Sequence, residues 1–384
     1  MHILHIANSY GGTEVYKNLF TALDRLGVRQ TVFVPLNPNN HNRIGNHLID
    51  FTVKDSQIIY STALKKHHRF FYSCKINTIF HEIEKSVDLK EVDYIHAHTL
   101  CLDGAVAYKL SVKYGISFGC AVRSTDVNTY YKKLPWEKRF FTKILKKAND
   151  VFFISPIYRK FFLEHQVPPK YYSTIDKKSV FIPNGIDNLF FQHRSTVQKK
   201  LSSPIRLVYT SAFKKSKGLV ETIKAVNQLQ EEGINIVLKA IGKGLPGRVL
   251  DPNYIQKVEE MSDGKSWIEL CDYMGKEDVI KELSKQDIFI LPSTSETFGL
   301  VYIEALTQNL PVIYTKGEGF DGIYPEGMVG YSTKFGDIDD IVNKLKLIIN
   351  RYDELVCNIN QLILNADFDW NQIAKKYVSK YEQR

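Results

Sequence analysis

The sequence predicts an α/β protein made of two doubly wound parallel sheets. Three observations carry this. Short apolar runs alternate with helical patterns from residue 2 to residue 182, and strand–helix alternation of that kind builds a parallel sheet covered by helices. The alternation stops in a turn-rich, polar stretch over 183–204 and then restarts. Finally, 384 residues are long for one core and comfortable for two domains of about 100–200 residues each.

In chain order, HILHIA (2–7) reads as a strand, Glu14–Leu26 as a helix and Gln30–Pro35 as a second strand. Residues 37–75 show no clear period and are expected to hold one or two strands that the pattern does not place. Further strands are expected at 92–97, 117–123, 151–155 and 180–182, with helices between most of them. The second series comprises strands at 206–210, 235–241 and 267–270, and helices at 218–230 and 277–285. Next come a buried strand ending at Leu291-Pro292, a helix starting near Phe298, and another buried strand through Pro311–Thr315. The tail reads as helices at 338–351, up to 365, and 371–380, the last with Trp370, Ile373, Tyr377 and Tyr381 on one face. The expected organisation is a first domain over 1–187, a linker over 188–204, a second domain over 205–367, and a final helix over 368–384 that returns to the first domain.

Ligands on doubly wound sheets sit beyond the carboxyl ends of the strands, so those ends are searched first. Asn8-Ser9-Tyr10-Gly11-Gly12-Thr13-Glu14 is a Gly-Gly turn opening a helix. It lacks the G-x-G-x-x-G spacing of a dinucleotide loop; Gly11 and Gly12 are read either as a close approach for a substrate or as a tight connection. His96-Ala97-His98 ends a strand with H-x-H spacing, read as polar groups facing the cleft in preference to metal ligands. Arg123-Ser124-Thr125-Asp126 follows the next strand. Lys214, Lys215, Lys217 and Gly218 cluster at a helix start, where cations would join backbone amides around a phosphate; a solvated basic loop is the alternative. Gly242-Lys243-Gly244-Leu245-Pro246 is another glycine-bearing strand end.

The most informative stretch is LPSTSETFGLVYIEALTQNLPVIYT over 291–315. Ser293, Thr294 and Ser295 supply cap-type side chains, and Gly299 admits close backbone approach at a helix start that suits a diphosphate. Glu296 and Glu304 stand eight residues apart, about two turns at roughly 3.6 residues each, so both carboxylates address one side. They suit sugar and ribose hydroxyls or acid–base work, although an exposed helix face places glutamates in the same way.

Composition bounds the classes. Hydrophobic content of 44% and charged content of 24% belong to a soluble globular chain. The apolar start reaches a glycine loop too soon for a signal peptide, and no apolar run approaches the roughly 20 residues of a spanning helix. Five scattered cysteines without a CxxC read as reduced thiols of a cytoplasmic protein. The net charge of +9 is uneven: residues 1–190 hold 26 Lys+Arg against 16 Asp+Glu, while 191–384 are close to balance. The first half therefore faces something anionic. Within it, Pro135–Ala148 reads as a basic amphipathic helix, which fits either an anionic membrane surface through 136–147 or ordinary packing on the sheet. Asp337-x-Asp339 and Asp367-x-Asp369 have a D-x-D form but stand at helix starts, where Asp caps are routine.

Taken together, GGTE at 11–14, IHAH at 95–98, PNGID at 183–187, KG at 217–218, GKGLP at 242–246, SETFGLVYIEA at 295–305, PVI at 311–313 and FDW at 368–370 resemble the retaining glycosyltransferases of family 4. Bacterial capsule and exopolysaccharide enzymes are similar. The resemblance implies two Rossmann-like domains facing a cleft, the GT-B arrangement. It implies that Glu296 meets hydroxyls of the donor sugar, Glu304 holds the ribose, and Phe298, Gly299 and Leu300 present backbone to the diphosphate. Lys217 would neutralise the leaving group, and the base would lie near Met274-Gly275. Anomeric configuration would be retained by front-face attack, without metal or cofactor. This chain departs from the pattern twice: no Arg precedes Lys217, leaving Lys214 or Lys215 in its place, and Arg123-Ser124-Thr125-Asp126 stands where many members carry HGSD. Arg123 is then expected at a phosphate or anionic sugar, and Asp126 at the acceptor hydroxyl.

The expected function is transfer of a hexose from a UDP- or GDP-linked donor to a glycan acceptor, lipid-linked, in surface polysaccharide synthesis, with the protein peripheral at the inner face of the membrane. The other readings are a catalytically inactive nucleotide-sugar-binding partner, an epimerase of the same fold, and a nucleic-acid binder; no nucleic acid is expected as partner.

Overall fold

The computed structural model describes residues 1–244, 251–294 and 296–383. Ser295 and the Leu245-Pro246 pair named above lie outside the described residues. The chain divides into two compact units, one formed by Met1–Ile154, Tyr158–Gly185 and the stretch from Asp369, the other by Ser155–Ile157 and Ile186–Phe368.

The first unit contains seven strands: β1 (His2–Ile6), β2 (Arg29–Pro35), β3 (Gln57–Ser61), β4 (Tyr94–Ala97), β5 (Ser117–Ala121), β6 (Asp150–Phe153) and β7 (Ser179–Phe181). All pairings are parallel and the order is β3-β2-β1-β4-β5-β6-β7. Central β1 is buried along its whole length, its two histidines included, as a strand covered on both faces must be. One face packs under helices Tyr72–Ser86, Asp103–Tyr114 and Lys138–Lys147. The other packs under Glu14–Arg25 and the C-terminal helix Trp370–Glu382, whose Trp370, Ile373, Tyr377 and Tyr381 join Phe20 and Leu23 in one core. β3, which the sequence did not place, is an edge strand whose apolar residues Ile58, Ile59 and Tyr60 are only partly buried, so its apolar signal is weak.

Of the two readings of the basic helix, its apolar stripe follows ordinary packing: Phe141, Ile144 and Leu145 are wholly buried in the sheet-facing core. One expectation changes. The expected linker 188–204 belongs to the second unit. Ser195 N–H donates to the Thr307 carbonyl at 2.9 Å, Arg194 donates to the Leu362 carbonyl at 2.7 Å, and Lys199 Nζ donates to the Gln286 carbonyl at 2.9 Å.

The second unit contains β8 (Ile205–Thr210), β9 (Ile236–Lys243), β10 (Ile268–Asp272), β11 (Ile288–Ile290), β12 (Val312–Thr315) and β13 (Gly330–Thr333), all parallel in the order β10-β9-β8-β11-β12-β13. β13 reads GYST and has no apolar run to announce it. Asp337 and Asp369 are N-caps, accepting from Asp340 N–H and from Asn371 and Gln372 N–H.

In both units the strand order reverses beside the first strand, between β1 and β4 and between β8 and β11. Neighbouring loops there diverge to opposite faces and leave a crevice at the carboxyl ends.

Candidate functional site

At the β8/β11 switch point, the loop after β8 ends in a short turn, Lys215–Lys217, and Gly218 starts helix Leu219–Glu231 in the left-handed conformation, φ +70. A Cβ on Gly218 would fall 2.3 Å from the Pro292 carbonyl oxygen, so only glycine lets the two loops touch. Thr294 N–H donates to the Ser216 carbonyl at 2.8 Å and ties them together. Across this junction Lys217 Nζ meets Glu296 Oε2 at 2.6 Å, and Ser293 Oγ donates to the same oxygen at 3.2 Å. Both charged side chains keep about a fifth of their surface exposed, 23% and 20%. Among the described residues no carboxylate pairs with Lys214 or Lys215.

Glu296 is held by its backbone as well. Its N–H donates to Glu318 Oε2 at 2.8 Å, and its carbonyl accepts from Gly319 N–H at 2.8 Å. Glu318 was not found from the sequence; it lies after β12 with no pattern to mark it, and only the adjacency of β11 and β12 brings it here. The helix begins at Leu300, two residues later than expected, because Gly299 at φ +83 is its N-cap. A Cβ there would fall 2.5 Å from the Tyr302 ring. Phe298 is buried against Phe368, so it contributes backbone and packing. Leu300 is half-buried at the helix start.

Glu304 lies one turn into helix Leu300–Thr307, half-buried. Burial pushes its carboxyl up to about 7; the Lys276 ammonium pulls it down and the Asp187 carboxylate pushes it up. Lys276 Nζ pairs with Asp187 Oδ2 at 2.6 Å, so the Asp of PNGID and the first residue after Met274-Gly275 share the neighbourhood of Glu304. Lys276 was also missed. Met274 is half-buried just beyond β10. Gly242 approaches backbone, not an open site: a Cβ would fall 2.2 Å from the Ser211 carbonyl oxygen.

The β1/β4 switch point of the first unit has a different character. Asn8 Nδ2 donates to both oxygens of Asp103 at 2.9 Å and to Thr99 Oγ1 at 3.1 Å. Asp103 is wholly buried, and burial raises its carboxyl to about 7 against the hydrogen bonds of Asn8 and Thr99. Asn8 was named from the sequence only as the start of the Gly-Gly stretch, and Asp103 was not named; only the strand order brings them together.

Several expected residues take other places here. Gly11 and Gly12 are covered by segment 38–47: Arg43 stands within 3.1 Å of a Cβ built on either glycine, and Asn46 Nδ2 donates to the Gly11 carbonyl at 3.4 Å. His98 is wholly buried, bonded to His5 Nδ1 at 3.2 Å and stacked on His96, whose Nδ1 meets Tyr381 Oη at 2.6 Å. It is therefore a core ring and not a group facing ligand. One nitrogen from each of the three rings lies within 4.8 Å of the others. Packing against Phe20, Phe152 and Tyr377 accounts for their positions. Burial lowers the pKa of all three, that of His5 to about 3, and keeps them neutral. Asp126 is also wholly buried; it accepts from the N–H groups of Leu100 at 3.2 Å, Cys101 at 2.8 Å and Arg123 at 2.8 Å. It staples the loops after β4 and β5 in place of offering a carboxylate to a ligand. Arg123 is half-buried, with Nε donating to the His98 carbonyl at 3.4 Å, and its charge reaches Tyr16 and Tyr377.

Known proteins resemble this chain in part of its sequence and in its fold. Residues 192–361 match the family described as Glycosyl transferases group 1. The sulfoquinovosyl transferase SQD2 of Arabidopsis thaliana is 32% identical over 103 residues, 26% of this chain and 20% of SQD2. The uncharacterized glycosyltransferase MJ1178 of Methanocaldococcus jannaschii is 22% identical over 298 residues, 77% of each chain. The chain thus spans a fifth of one of these relatives and about three quarters of the other. Among solved structures, Anabaena Alr3699/HepE in complex with UDP superposes over the whole of both chains with a TM-score of 0.73 at 15% identity. The fold is therefore the two-domain GT-B fold of that solved structure, and residues 192–361 match the group 1 glycosyl transferase family within it.

Proposed function

We propose that this protein is a retaining glycosyltransferase that moves a hexose from a nucleoside diphosphate sugar, UDP- or GDP-linked, to a lipid-linked glycan acceptor in surface polysaccharide synthesis. The observation that carries the reading is the Lys217–Glu296 pair at the β8/β11 switch point. It joins a cation to a carboxylate beside a helix N-terminus, where an anionic leaving group gains both the charge and the amide donors.

In this reading the donor diphosphate takes over Lys217, which releases Glu296 to accept from hydroxyls of the donor sugar. Phe298, Gly299 and Leu300 present backbone to the phosphates, Glu304 accepts from the ribose hydroxyls, and the backbone at Met274-Gly275 meets the base. The acceptor oxygen attacks the anomeric carbon from the face the diphosphate leaves. The bond from that carbon to the phosphate oxygen breaks, and the departing phosphate takes the acceptor proton. Lys217 and the helix end hold the developing charge, the part a divalent cation plays in other transferases. Catalysis is then positioning and electrostatic stabilisation. In the same reading Arg123, in the first unit, binds an anionic group of the acceptor.

A thermal-shift panel of uridine and guanosine diphosphates, with radiolabelled sugar transfer, tests this. Glu296→Gln and Lys217→Ala are expected to abolish transfer with folding intact; full activity in both would overturn the proposal. Binding without any transfer or donor hydrolysis in the unaltered chain would instead favour an inactive nucleotide-sugar-binding partner.

A further inference from the structure

With the stripe of helix Lys138–Lys147 committed to the core, a different apolar set on the first unit has no cover. Phe70, Phe71 and Trp136 are 79%, 61% and 69% exposed. Single exposed aromatics are ordinary; these three belong to one surface. Tyr72, directly after Phe71, packs its ring on Tyr130 at 6.1 Å and edge-on to Phe141 at 6.0 Å, and the charge of Glu137, next to Trp136, acts on the Tyr72 hydroxyl. Segments 65–75 and 132–143 therefore lie side by side. Together they carry nine lysines and arginines against one acidic residue, Glu137. Lys66, Arg69, Lys132, Lys133 and Arg139 are exposed among the aromatics.

We propose that this face, residues 65–71 with 132–139, docks the protein on an anionic lipid surface. Large aromatic side chains enter the headgroup boundary and the surrounding cations meet lipid phosphates, a pairing that neither a neutral membrane nor a purely polar anion satisfies. Position supports the choice. Lys75 and Tyr130, at the edge of the face, lie within electrostatic reach of Asp103, which follows β4 at the β1/β4 switch point, so an acceptor carried by the membrane would meet the same end of the sheet. The helix is a lateral part of this surface through its cations, and the inserting groups are Phe70, Phe71 and Trp136. The proposal deepens the lipid-linked acceptor of the preceding section, but vesicle binding reads it without any transfer.

The test is flotation of the full chain with vesicles of phosphatidylglycerol and phosphatidylcholine, and with phosphatidylcholine alone. Binding is expected only to the anionic vesicles and is expected to weaken with salt. Tryptophan emission should shift to the blue on binding, and Trp136→Phe should abolish the shift, since Trp136 is the tryptophan with an exposed ring. A Phe70→Ser, Phe71→Ser, Trp136→Ser variant is expected to bind at least tenfold more weakly while keeping its thermal shift with UDP. Undiminished binding by that variant, or no binding by the unaltered chain, would overturn the proposal. So would equal dependence on the three aromatics when single-stranded nucleic acid replaces the vesicles. Loss of the UDP shift with vesicle binding intact would count against the donor site alone.

Discussion

The two switch points share one topology and differ in what they do with charge. In the second unit the crevice holds a lysine and a glutamate that meet each other at 2.6 Å and remain partly exposed. In the first unit the carboxylates of Asp103 and Asp126 and the histidines 5, 96 and 98 are wholly buried and bonded to neighbouring backbone or side chains. A charged pair that keeps about a fifth of its surface in water can exchange one partner for a charged ligand at lower cost than a wholly buried group. A buried carboxylate with three N–H donors is costly to disturb. The difference is that the second unit leaves a charged pair partly open at its switch point, as the proposed donor site requires, whereas the first unit uses its polar groups to hold loops in place.

Substitutions can break or sharpen that contrast. The largest effect is expected from Lys217→Ala, which should lower kcat by about two to three orders of magnitude, the range for loss of a charge-stabilising donor, with little change in melting temperature. A large loss of stability would place Lys217 with the structural groups instead. Asp126→Ala should do the opposite, costing about 2–4 kcal/mol of unfolding free energy, because three buried N–H groups lose their acceptor; denaturant titration measures it. Glu304→Gln should raise stability at pH 8 by roughly 1–2 kcal/mol after solvent screening is allowed for. The sign follows from linkage: burial raises the native carboxyl to about 7, so the native state binds the proton more tightly, and the wild type loses stability as pH rises from the unfolded value towards 7. The variant should lack that slope. Glu318→Gln, which keeps an acceptor for the Glu296 N–H, should change kcat only about threefold, while Glu318→Ala should lower it about tenfold, a loss of about 1.4 kcal/mol; equal effects would show that Glu318 acts by charge.

Much of the site was readable along the chain because its parts are local. The glycine at 299, the E-x7-E spacing and the KG pair each lie within one loop and helix start, and turn and cap chemistry is written in neighbouring residues. Glu318, Lys276, Asn8 and Asp103 carried no such mark. Each becomes part of a site only because a distant strand is adjacent. His98 and Asp126 misled for the same reason: a polar residue after a strand can point to ligand or to core, and the local pattern is identical. Edge strand β3 and the polar β13 were unreadable since neither buries enough apolar surface to impose a period.

By itself the sequence determined the class of fold, the restart of the chain after residue 183, the glycine-bearing loop and helix start at 292–304 and the excess of positive charge in the first half. Those are sums over neighbouring residues, and periodicity, glycine placement and composition report them directly. Only the tertiary structure decided that Lys217 meets Glu296 across 79 residues of chain, that the helix stripe at 141–145 is core, and that Phe70, Phe71 and Trp136 are among the large apolar groups left in solvent. Burial and pairing depend on which distant elements the strand order makes adjacent, and no local pattern contains that order.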